Sequence, residues 1–135
     1  MKKLLYILFI FITNAVFAQQ HRPSSYTAAV MTTDFSDSLK KNISNVITAD
    51  YTIKLAYWST ISAEGKLLKP LITREVADGT VDDNDFVQKM KVFITNAPAW
   101  KPAFDHALNK KADDFVFFSV EIKRGKITVV DMTNN

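Results

Sequence analysis

The sequence predicts an α+β domain in which a small antiparallel sheet carries its helices on one face. Three observations lead there. Apolar residues recur at helical spacing in two stretches, 34–48 and 82–97, and at every second position in two others, 51–61 and 115–123. Each alternating stretch is followed by a glycine that can turn the chain back, Gly65 and Gly125. No segment repeats, and no tract is compositionally biased.

The chain begins Met1-Lys2-Lys3, continues with the apolar run Leu4 to Ile12, and reaches Ala15-Val16-Phe17-Ala18 before Gln19. A basic start, an apolar middle and a small-x-small end describe a secretory signal cut after Ala18. A membrane span needs about 20 apolar residues, and Thr13 and Asn14 interrupt this run early, which leaves an uncleaved anchor as the runner-up reading. With no cysteine anywhere, neither a lipid attached through cysteine nor a disulfide framework is available. The expectation is a periplasmic or secreted protein: signal 1–18, flexible lead-in 19–33 and one domain over 34–135. Part of the net charge of +3 belongs to Lys2 and Lys3 and leaves with the signal. The remaining charges are of mixed sign, with no basic block longer than a pair, so no nucleic-acid groove is indicated.

Phe35, Leu39, Ile43, Val46 and Ile47 give the first helix, about Asp34 to Thr48, with Asp34 or Ser36 as its N-cap. Tyr51, Ile53, Leu55 and Tyr57 then share one strand face, and Trp58 interrupts the polar face behind them. A turn at Ser62 to Lys66 returns the chain as a second strand over Leu67 to Val76. Pro70 cannot donate to a ladder, which places that strand at an edge or a bulge. Asp82, Asp83 and Asp85 suit the positive end of a second helix, whose stripe is Phe86, Met90, Phe93, Ile94 and Ala97. The same acids do not form a calcium loop, because no register supplies both the glycine and the closing glutamate. Pro98 stops the helix, and Pro102 stiffens the approach to Trp100, which reads as a core anchor flanked by Lys101. Phe104 to Asp114 is an irregular connection. Phe115 to Lys123 is the most strand-like run, and Ile127 to Met132 can pair back as a last strand.

The helix, hairpin, helix, strand order resembles the C-terminal domain of TonB-like energy transducers, closest to the Bacteroidetes-type versions. The residues that carry the likeness are Ala63-Glu64-Gly65-Lys66, Pro98-Ala99-Trp100-Lys101-Pro102-Ala103 and Asn109-Lys110-Lys111, over about Tyr51 to Lys123. Family members have a tyrosine-proline where Asp50-Tyr51-Thr52 stands, and Phe104 to Ala107 are extra here. The family's membrane helix and long spacer have no counterpart in this sequence. The resemblance implies an α-β-β-α-β fold and a habit of binding protein, not energy transduction.

No catalytic, cofactor or metal residue stands out. His21 and His106 have no ligand partners at zinc spacing, and no phosphate-cradling glycine loop exists. The leading expectation is a non-catalytic module that receives an extended segment of an envelope or outer-membrane protein by strand addition. Its structural anchor is Pro98, Trp100, Lys101 and Pro102, and its receiving edge runs along Phe115, Phe117, Ser119, Glu121 and Lys123 if Ile127 to Met132 does not pair back and cover it. That edge would also admit a homodimer. The alternative is a small-ligand binder or hydrolase with a pocket among Trp58, Trp100 and His106.

Overall fold

The computed structural model describes residues 25–68, 71–75 and 84–133. The signal, the start of the lead-in, Pro70, Asp82 and Asp83 fall outside them. The described residues form an α+β fold with strands β1 (Tyr26–Thr27), β2 (Ile53–Ile61), β3 (Leu71–Glu75), β4 (Ala103–Asp105), β5 (Lys110–Ala112), β6 (Asp114–Lys123) and β7 (Lys126–Asp131). Helix α1 (Thr33–Ser44) follows β1 and helix α2 (Asn84–Asn96) follows β3. The main sheet is antiparallel in the order β3-β2-β6-β7, and a smaller one has the order β1-β4-β5.

Strict alternation explains the core. Ile53, Leu55, Tyr57 and Ile61 of β2 and Val116, Phe118, Val120 and Ile122 of β6 point to one face and are buried. Onto that face α1 lays Phe35, Leu39 and Ile43, and α2 lays Phe86, Met90 and Ile94. Each helical set repeats at three- and four-residue intervals, so each buries one stripe. Both helices therefore cover the same side of the sheet.

Helix α1 starts and stops earlier than the periodicity predicts. Its N-cap is Thr32, not Asp34 or Ser36: the Thr32 hydroxyl accepts the Phe35 N–H at 3.2 Å and donates to the Ala99 carbonyl at 3.0 Å. A cap that also ties down the Trp100 segment is favoured over one that faces water. In α2, Asp85 meets Lys89 one turn on, at 2.6 Å.

Two stretches read as irregular are ordered strands. Tyr26–Thr27 pairs with β4, and Val30 exchanges two 3.0 Å backbone bonds with Lys101, so residues 25–33 are not a flexible lead-in. They are held because Ala29 is fully buried and its N–H is accepted by the Asp114 carboxylate at 2.9 Å. Phe104 to Asp114 contains the β4–β5 hairpin, whose turn forms when Asp105 accepts the N–H groups of Ala107 and Leu108. Strand β3 begins at Leu71, and the pairing advances by one residue between Ile61–Leu67 and Trp58–Leu71.

Within the core, Tyr57 stacks on Phe118 at 4.9 Å. Its hydroxyl and the Trp100 indole N–H are buried without a hydrogen-bond partner among the described residues. An unsatisfied buried hydroxyl costs about 1–3 kcal/mol, so Tyr57→Phe is expected to stabilise the domain by about 1 kcal/mol at neutral pH. Burial also pushes the Tyr57 phenol well above its ordinary value. A group raised in the folded state keeps its contribution below its unfolded pKa, near 10 for tyrosine, and loses it as the pH climbs past that value. The wild type should thus weaken between pH 10 and 12 more steeply than Tyr57→Phe, which urea midpoints at pH 7 and pH 11 check.

Candidate strand-addition edge and aromatic anchor

Trp100 is buried, 2% exposed, with its ring edge-on to Phe35 at 5.4 Å and tilted to Phe118 at 5.7 Å. Both chain directions fix it. On one side its N–H donates to the Gly65 carbonyl at 2.8 Å, and on the other Lys101 bridges Val30. Gly65 reaches that position with φ +84°, and a Cβ there would run into the Trp100 carbonyl. Lys101 and Pro98 are exposed and Pro102 is half-buried, so of the anchor residues it is Trp100 that enters the core. Beside this clasp, Glu64 lies in the tip of the turn; the Ser62 hydroxyl first, with Lys66 and Lys111 adding to it, holds its carboxyl below the usual range.

The expected receiving edge is not an edge. Strand β6 pairs with β2 from Ile53–Ile122 to Ile61–Asp114 and with β7 from Phe118–Asp131 to Lys123–Lys126. Strand β7 therefore occupies the side of β6 that Ser119, Glu121 and Lys123 were expected to offer, and Met132 and Thr133 extend the cover to Phe117, while Phe115 lies beyond the end of that pairing. The cause is the Arg124-Gly125 turn, whose φ values of 50° and 75° are those of a two-residue type I′ hairpin. It folds Lys126–Asp131 directly back onto the strand. These five residues line the outer face of the sheet, away from the helices: Phe115 is 72% exposed, Glu121 and Lys123 are exposed, Phe117 is half-buried and Ser119 is buried. Phe117 stacks on Trp58 at 4.7 Å, which accounts for an indole on the otherwise polar side of β2.

The margins of the main sheet are β3 and β7. Hydrogen bonds in an antiparallel ladder alternate along each strand. The Met132 N–H donates to the Phe117 carbonyl at 2.8 Å, so Met132, Val130, Thr128 and Lys126 turn their peptide groups toward β6. Ile127, Val129 and Asp131 turn theirs away. Among the described residues no strand pairs with that outer side. The Asp131 end is tied in, since its carboxylate accepts the N–H groups of Met31 at 3.0 Å and Thr133 at 2.9 Å. The side chains of Ile127 and Val129 pack against the core, which holds this margin in place.

Trp58, Trp100 and His106 do not converge. Trp58 lies on the outer face and Trp100 under the helices. His106 is exposed at the end of β4, with its Nε2 2.8 Å from the Thr27 hydroxyl and its ring edge-on to Phe104 at 4.9 Å. Among the described residues no helix is long and apolar enough to cross a membrane. The edge expected on β6 depended on Ile127 to Met132 leaving it open, and the Arg124-Gly125 pair immediately after the longest strand was the signal that they fold back onto it. No protein-family model matches the chain, and neither a curated protein nor a solved structure matches it.

Proposed function

We infer that this chain is a non-catalytic protein-binding module of the periplasm or extracellular space, similar in plan to TonB C-terminal domains, that receives an extended segment of an envelope or outer-membrane protein by strand addition. The observation that carries this reading is the margin of β7, where the peptide groups of Ile127 and Val129 face outward on a strand whose inward side chains pack against the core. Such groups supply affinity through main-chain bonds, and the neighbouring side chains supply selectivity. Among the described residues no nucleophile, base and orienting acid share a site, which favours binding over chemistry.

A photo-crosslinking residue at Thr128, in cells that make the protein, tests it. The expected product joins Thr128 to an extended segment of an envelope protein, and Val129→Pro abolishes it by removing an outward N–H. Proline is tolerated there because that N–H makes no bond within the sheet, and circular dichroism should show the fold retained. Capture that persists in Val129→Pro, or no capture at all, would overturn the reading.

A further inference from the structure

The turn that ends this edge holds an arrangement that sheets avoid. Lys123 and Lys126 stand directly opposite one another on the outer face, both exposed, with exposed Arg124 between them in the turn. Like charges facing each other across a ladder are destabilising. The carboxylate nearest in register is Glu121, which lies opposite Thr128 on one side and opposite a third cation, Lys54, on the other. Asp50 precedes Tyr51, whose carbonyl accepts the Gly125 N–H at 3.0 Å, and belongs to the loop behind the turn. A local conflict kept at the end of an open edge marks a place where a partner supplies what is missing.

We propose that the segment received by β7 runs antiparallel to it and presents an aspartate or glutamate opposite Lys126. This rests on the strand-addition reading and adds the chemistry of the partner. Because Ile127 and Val129 make the main-chain bonds, the incoming residues facing Val130, Thr128 and Lys126 project on the outer face. Antiparallel travel meets them in that order, so the segment reads apolar, any residue, polar, any residue, acidic. Its apolar side chain lies against Val130, which is 39% exposed, and its carboxylate lies between Lys126 and the neighbouring Lys123.

A second copy of this chain does not meet that requirement. The same alternation allows only Lys126, Thr128, Val130 or Met132 of another β7 to face Lys126, whatever the register, and none of them is acidic. A partner of different sequence is therefore favoured over self-pairing.

The test uses the ¹⁵N-labelled protein and three blocked peptides, each with serine at the intervening positions. The first carries valine, threonine and glutamate in that order, the second has lysine in place of glutamate, and the third has the order reversed. The first should move the amide signals of Ile127 and Val129 and bind about five- to tenfold more tightly than the other two. Lys126→Glu should invert the preference between the first two peptides, and Lys126→Thr should erase it; both variants relieve the repulsion with Lys123 and so retain the fold. Equal affinity for all three peptides would overturn the acidic assignment while leaving strand addition standing. Silence of Ile127 and Val129 with every peptide would overturn strand addition itself. Shifts at those amides on concentrating the protein without peptide would overturn the choice of a different partner in favour of a second copy.

Discussion

Trp100→Ala is expected to lower the free energy of unfolding by about 3–5 kcal/mol, the loss that follows when a buried aromatic is truncated and its surroundings collapse only partly. The ring touches α1 through Phe35 and the sheet through Phe118, so its removal loosens the helix from the strands instead of emptying a peripheral pocket. Since small domains hold only about 5–15 kcal/mol in all, the variant should sit close to the folding threshold. Trp100→Phe should lose much less. It keeps an aromatic in contact with both neighbours and removes an indole N–H that finds no partner. Urea unfolding of the two variants checks the order; equal losses would mean that the indole's size matters little to the core.

Gly65→Ala should cost more than about 2 kcal/mol although it adds one methyl group at a turn. The left-handed backbone charges a side chain about 1–2 kcal/mol. The new Cβ also has to displace the Trp100 carbonyl, which is backbone and is held by its own residue's N–H bond to Gly65. The turn and the indole are thus one unit, and the damage should appear in both. For a domain of 60–100 residues each kcal/mol shifts the melting temperature by about 4–8 °C, so a drop of at least about 8 °C is expected, with the indole fluorescence moving toward that of exposed tryptophan. A melting temperature within 2 °C of the wild type would show that the turn moves freely from the Trp100 segment.

How much of this was legible in the sequence depended on length and period. Strands β2 and β6 and the two helical stripes follow from patterns long enough to have a phase, although Val46, expected on the first stripe, lies past the end of α1 and is exposed; the burial of Trp100 was read from its flanking prolines. The three-residue strands β4 and β5 and the two-residue β1 have no period to read. They exist through long-range bonds, such as Asp114 to Ala29 and Tyr26 to the Asp113 carbonyl at 2.7 Å, that no local window contains. Thr32 was missed as the cap because its second partner, Ala99, is distant in sequence. The edge was misplaced for a related reason: whether a strand is interior depends on which segment folds back beside it, and Lys126–Asp131 is short and alternates only weakly.

The order of pairing in the sheet bears on how the domain assembles in time. Strands β6 and β7 are joined by a two-residue turn, a closure that takes about 1–10 μs, whereas Ile53 must find Ile122 and Ile61 must find Asp114 across more than 50 intervening residues. Joining distant segments is the slow event in β-rich folding, because the entropy of closing a long loop is spent before any contact rewards it. The C-terminal hairpin is therefore a ready-made template that waits for β2. A chain made from its N-terminus would hold β2, with its apolar face uncovered, until that template follows it.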